Sequence, residues 1–191
     1  MFYDYSLFPF LKPIQDSAKI IANEYLDAKN NVDELKNFFT NEEMPPVYSH
    51  FDYWVRESGF DTGQIGYDSR GEKPVGGFPL YKKGFPIKWM DVANIFPETY
   101  KLLMNVPNIH FAQFSIMSPD AYILPHAHQI DSRIFHLNLF ELNGKGTFKA
   151  GDETIEYSKQ GECFLFNPTS IHSSKNSSTN FRVTLMFDFR I

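Results

Sequence analysis

At 191 residues, 42% hydrophobic and with a formal charge of −5, the chain suits one domain with a core that needs no covalent staples. Its scattered lysines lack the concentrated positive face of a nucleic-acid binder. The single cysteine, Cys163 in an apolar run ending at Phe166, excludes an intramolecular disulfide and a thiolate metal cluster, and reads as a small core residue. No apolar run approaches the roughly eighteen residues of a membrane span. The N-terminal stretch, broken by Pro9 and Pro13, has neither the basic nor the apolar region of a signal peptide. The expectation is a soluble cytoplasmic protein without membrane or nucleic-acid partners.

Ile14, Ala18, Ile21, Ala22 and Tyr25 recur at helical spacing, with Asp16 early where a carboxylate suits the helix dipole, so a helix is predicted over 14–27. Asn31, with Glu34 three residues on, has the form of an N-terminal cap for a second helix ending near Thr40. Residues 48–86 are aromatic and glycine-rich without a sustained period. They read as loops with one or two short strands, either a lid or a wrap over a sheet face. Pro97 opens a third helix to Asn105.

Beyond Pro107 short runs rich in phenylalanine, isoleucine and valine alternate with turn residues, and 17% aromatic content suits an interior filled with rings. Strands are predicted at 110–117, 122–128, 133–142, 147–150, 153–158, 163–167 and 181–189, separated by turns such as the one over 143–146. This pattern predicts a mainly β chain: a double-stranded β-helix, the jelly roll of cupin-like proteins, with N-terminal helices packed on it. A single domain over 1–191 is expected, with helices and loops in 1–109 and the catalytic core in 110–191.

Two strand ends carry the chemistry. The first runs Tyr122-Ile-Leu-Pro-His126-Ala-His128 and the second Asn167-Pro-Thr-Ser-Ile-His172. His126 and His128, two apart, leave one face of a strand, and His172 from a later segment can add a third nitrogen. Imidazole nitrogen suits Fe(II), Zn(II) and Mn(II).

The stretch from Phe114 to His126, with Ser115 and the Pro125-His126 step, resembles the first metal-ligand segment of the aspartyl/asparaginyl β-hydroxylase family. His172-Ser-Ser-Lys-Asn176, followed by Arg182, Leu185 and Asp188, is similar to its second, in which an arginine follows the histidine by ten residues. The resemblance runs most strongly from Phe111 to Phe189 and implies an Fe(II)- and 2-oxoglutarate-dependent dioxygenase on a double-stranded β-helix, consuming O2. It implies His126 and His172 as iron ligands, Arg182 as the clamp for the far carboxylate of 2-oxoglutarate, and Ser115 as a cosubstrate-contacting hydroxyl. A small amino acid or peptide with an aspartyl- or asparaginyl-like side chain is the implied substrate.

Two departures qualify the resemblance. Where many members carry an aspartate two residues after the first histidine, this chain has His128. If it coordinates, the site is a three-histidine one without a carboxylate; if not, it is a two-histidine site with more water. Second, where the family shows Arg-x-His-Leu-x-Leu, this chain has Arg133-Ile-Phe-His136-Leu-Asn-Leu139, with one residue more. On a regular strand that step sends Arg133 to the opposite face, unless a bulge restores it. Arg133 and His136 therefore stand as further cosubstrate-binding candidates. A cupin-type three-histidine metalloenzyme independent of 2-oxoglutarate and a non-catalytic jelly-roll binding module are the alternatives.

Overall fold

A computed structural model describes residues 1–30, 66–84 and 91–191. The helix expected over 31–40 and part of the glycine-rich stretch lie outside the described residues.

Near the N-terminus, strand β1 (Phe2–Tyr3) precedes helices α1 (Leu11–Asp16) and α2 (Ala18–Asn30). The helix predicted as one piece is interrupted at Ser17, whose N–H donates to the carbonyls of Pro13 and Ile14. Ala18, Ile21, Ala22, Tyr25 and Ala28 of α2 are buried at the spacing of a single helical face. Two further helices follow, α3 (Val92–Ile95) and α4 (Pro97–Met104). Glu24 on α2 accepts from the N–H groups of Glu98 and Thr99 at 2.8 and 2.9 Å, so a carboxylate from one helix satisfies the unpaired donors at the start of another.

The remaining strands are β2 (Gly66–Tyr67), β3 (Pro74–Lys82), β4 (Ile109–Met117), β5 (Tyr122–His126), β6 (Arg133–Asn138), β7 (Gly146–Ala150), β8 (Glu153–Tyr157), β9 (Cys163–Phe166), β10 (His172–Asn176) and β11 (Arg182–Phe189). They form a seven-stranded sheet, ordered β1-β9-β6-β11-β4-β3-β2, and a four-stranded sheet, ordered β5-β10-β7-β8. All pairings are antiparallel. Two facing antiparallel sheets, with consecutive strands passing between them, make a double-stranded β-helix with helices packed outside the larger sheet.

Strand parity assigns the two faces of the larger sheet. Along β11, Val183, Leu185, Phe187 and Phe189 join the core beneath the helices, with Phe114, Phe78 and Phe96. Arg182 and Met186, of opposite parity, line a cavity between the sheets. The Phe114 ring meets those of Tyr25 and Phe96 edge-on at 5.2 and 5.3 Å, which locks α2 and the α3–α4 junction to the sheet. Cys163 is partly buried against this core, and burial pushes its thiol up to about 11, which keeps it unreactive. Among the described residues, no helix is long and apolar enough to cross a membrane.

Among the strands that differ from the sequence expectation, two bear on the site. A nine-residue strand, β3, runs through the glycine-rich region, so the larger sheet draws strands from upstream of residue 110. Strand β10 was not foreseen, because its Ser-Ser-Lys-Asn composition lacks the β-branched and aromatic signal.

The β2–β3 turn is tied to β5 by a buried carboxylate. Asp68 accepts from the N–H groups of Arg70, Glu72 and Lys73, from the Arg70 guanidinium at 2.7 and 2.9 Å, and from the N–H of Tyr122 at 3.0 Å. Beside it, Ser69 exchanges hydrogen bonds with Tyr122 and Leu124. Burial alone would raise the Asp68 carboxyl, but Arg70 and the backbone donors outweigh it and hold it well below its ordinary value near 3.8. A depressed folded-state value contributes stability that is complete above that ordinary value and is lost as pH falls toward the folded one. Asp68→Asn is expected to cost about 2–3 kcal/mol at pH 7, and to flatten the fall in stability below pH ~4. Urea unfolding from pH 7 to 3 checks both.

Candidate metal centre and its cavity

Strand β5 is an edge strand of the smaller sheet, which is why Pro125 is tolerated there without breaking a ladder. Its last residue, His126, stands directly opposite His172, the first residue of β10. His128 follows just past the strand, its backbone N–H donating to the Pro168 carbonyl at 2.9 Å. The ring centroids are 4.3 Å apart for His126 and His172, 5.0 Å for His126 and His128, and 5.1 Å for His128 and His172. One nitrogen from each ring falls within 4.8 Å of the others, and among the described residues no carboxylate joins the cluster.

The tautomers are set by the backbone. Nδ1–H of His126 donates to the Leu124 carbonyl, and Nδ1–H of His172 to the Ser170 carbonyl, each at 2.8 Å. Both leave Nε2 with its lone pair free, the arrangement that orients an imidazole as a metal ligand. Burial, then the neighbouring imidazoles, pushes His172 down to about 4, and burial and His126 lower His128. Converging imidazole nitrogens fit a divalent Fe, Zn or Mn ion.

The cluster opens on a cavity of about 440 Å³ between the sheets, with walls from Val75, Ile116, Met117, Ile123, Ile134, Phe148, Phe166 and Met186. Its polar lining includes Gln113, Ser115, His136, Ser174 and Arg182. Antiparallel register sets these groups in rows: Arg182 pairs with Met117, Thr184 with Ser115, and Met186 with Gln113 and His136.

Arg182 is 2% exposed, and Nη1 donates to the Tyr157 hydroxyl at 2.9 Å and to Ser174 Oγ at 2.5 Å. Its Nε has no partner, and no carboxylate pairs with the guanidinium among the described residues. Gly146 makes room for Tyr157, since a Cβ there would lie 2.6 Å from the tyrosine ring. His136 is buried and stacked on Phe164 at 5.0 Å, with Thr184 Oγ1 at 3.4 Å from Nδ1. Burial first, then Arg182, drives it well below its ordinary value, so it is a neutral ring in the wall.

Of the residues singled out from sequence, His126, His128, His172, Ser115, His136 and Arg182 line this one cavity. Arg133, expected as a further cosubstrate-binding candidate, does not line this cavity. Strand β6 pairs with β11 without a bulge, so Ile134 and His136 face the cavity and Arg133 faces away. Its guanidinium lies 4.4 Å over the Tyr3 ring and donates to the Ser132 carbonyl. Sequence reasoning missed Ser174, Tyr157 and Gln113. Ser174 shares the inward parity of His172 and was legible once β10 is read as a strand, whereas the contact of Tyr157 with Arg182 is purely tertiary.

The model of the aspartyl/asparaginyl β-hydroxylase family matches residues 15–191, which take in α2 to α4, every described strand but β1, and the three clustered histidines. The chain belongs to the aspartyl/asparaginyl β-hydroxylase family. No curated protein sequence matches it. Among solved structures, it is similar to a predicted oxalate decarboxylase from Thermotoga maritima, with 12% identity, TM-score 0.46, and 67% of this chain and 91% of that one covered. A cupin domain of Schizosaccharomyces pombe Cnp3 is similar at 13% identity, TM-score 0.42, and coverage of 61% and 65%. The cupin domain of a transcriptional regulator from Enterobacter cloacae is similar at 14% identity, TM-score 0.41, and coverage of 61% and 97%.

Proposed function

We propose that this family member is an Fe(II)- and 2-oxoglutarate-dependent dioxygenase that hydroxylates an amino-acid or peptidyl substrate of the aspartyl or asparaginyl kind. The observation that carries the reading is Arg182, a buried guanidinium without a carboxylate partner among the described residues, on the wall of the cavity onto which the three imidazoles open. A buried charge is costly unless paired. A ligand carboxylate would pair it, and Tyr157 and Ser174 already hold one arm, which fixes the orientation of the guanidinium on the cavity wall.

His126, His172 and His128 would hold the metal, bringing no charge of their own. Fe(II), when bound, supplies the redox chemistry that couples O2 reduction to oxidation of 2-oxoglutarate to succinate and CO2 and to hydroxylation of a substrate C–H bond. The chain's own part is placement. Arg182 binds the far carboxylate, Ser115 and the neutral His136 offer polar contacts along the same wall, and the apolar walls exclude water.

A second reading is favoured by the absence, among the described residues, of a carboxylate from the histidine cluster: a cupin-type metalloenzyme that does not use 2-oxoglutarate. Anaerobic titration with Fe(II) and then 2-oxoglutarate, followed by absorbance, separates the two. A metal-to-cosubstrate charge-transfer band that saturates at one equivalent per chain is the expected result. Bound Fe(II) without the band supports the second reading, and no Fe(II) uptake, the outcome for a non-catalytic binding module, rejects both.

A further inference from the structure

Among the described residues that line the cavity, Gln113 is a polar side chain that the proposed chemistry leaves unused. Gln113 projects from β4 on the same face as Ser115, in the row that holds Met186 and His136. Its Nε2 donates to the Met186 thioether at 3.9 Å, a weak acceptor, and among the described residues neither end of the carboxamide has another partner. Its position depends on a neighbouring strand. A Cβ on Gly77 would collide with Gln113 Oε1 and lie 2.7 Å from Cδ, so the carboxamide lies in space that only glycine leaves open. The backbone of Gly77 is not in the left-handed region, so room for Gln113 is what a glycine provides there.

Position along the sheet separates Gln113 from the cosubstrate. Met117 is opposite Arg182, and Gln113 is four residues from it on β4, about 13 Å along an extended strand. With the cosubstrate carboxylate on Arg182, Gln113 faces the far part of the cavity, where a substrate would enter. A carboxamide presents a donor and an acceptor side by side, and a primary carboxamide, or the N–H and C=O that one extended peptide residue turns to the same side, satisfies both at once. A carboxylate would leave Oε1 facing an oxygen, and an ester would supply no donor.

We infer that Gln113, seated against Gly77, is a specificity-determining residue that receives an amide group of the substrate, either a side-chain carboxamide or the N–H and C=O that one peptide residue turns to the same side. This rests on the reading of the cavity as a metal- and cosubstrate-binding site.

The test uses the full chain loaded with Mn(II) and N-oxalylglycine, an unreactive analogue of 2-oxoglutarate, with loading measured first by water-proton relaxation. Two probes are then compared by paramagnetic relaxation of their methyl protons: propanamide and its ester counterpart, methyl propanoate, which contains no amide. The wild type is expected to favour the amide by about tenfold. Gln113→Leu and Gly77→Ala, the second of which keeps the glutamine but displaces it, are both expected to load Mn(II) normally and to lose that preference. Equal relaxation of the two probes in the wild type, or an amide preference retained in Gln113→Leu, overturns the inference while leaving the metal site standing. Failure of the wild type to take up Mn(II) removes the reading of the cavity and the inference with it.

Discussion

His172→Ala is expected to lower Fe(II) affinity by at least about 100-fold, since losing an outer-shell partner of a metal ligand alone costs about 10–100-fold. The imidazole is buried between the Phe148 and Phe166 rings, and its tautomer is set by the Ser170 carbonyl, so it is the most constrained of the three. His126→Ala is expected to match it, because His126 is its cross-strand partner and has the same Nδ1 contact two residues back. Anaerobic competition against a chelating dye measures both, and unchanged affinity in either variant rejects the centre. His128, exposed and beyond the end of β5, is the discriminating case. A loss of the same size in His128→Ala assigns three ligands, and an unchanged affinity assigns two. His172→Gln, which keeps more of the volume, separates metal loss from the packing defect that alanine leaves.

Arg182→Ala is expected to weaken 2-oxoglutarate binding by about 100-fold, near 3 kcal/mol, the range for removing one partner of a buried charged pair. Fe(II) affinity should be spared, because the guanidinium donates to Tyr157 and Ser174 and not to an imidazole. Arg182→Lys should recover little, since a lysine supplies a point charge without a planar fork. Tyr157→Phe should give a smaller loss, as Ser174 still holds the same nitrogen. Calorimetric titration of the Mn(II)-loaded protein with 2-oxoglutarate measures the series, and an unchanged affinity in Arg182→Ala excludes the clamp.

The jelly roll was legible where strands bury large or β-branched side chains. The runs ending at Met117, Phe166 and Phe189 declare themselves by phenylalanine and parity. It was not legible at β10, where Ser173, Lys175 and their neighbours look like a loop, nor at β3, where Gly76, Gly77 and Pro79 suppress the strand signal. Those are also the strands that carry site features: His172 and Ser174 on one, and the space for Gln113 on the other. The outward turn of Arg133 followed from counting residues, because strand parity is strict. The hydroxyl of Tyr157 on Arg182 had no sequence signal, since it joins residues 25 apart across two sheets.

The Asp68 turn has a consequence for the metal. It fastens the outer edge of β5, and β5 ends in His126, so the same strand is held by a carboxylate at one end and would be held by the ion at the other. Two attachments to one edge strand are thermodynamically linked, and each must strengthen the other by the same free energy. An ion at 100 times its Kd adds about 2.7 kcal/mol to folding stability, comparable with the cost expected for Asp68→Asn. Saturating Mn(II) should therefore restore much of that variant's stability, and the variant should in turn bind the ion less tightly. A turn on the opposite sheet, with no atom in the coordination sphere, thus becomes a reserve against which metal loss is buffered.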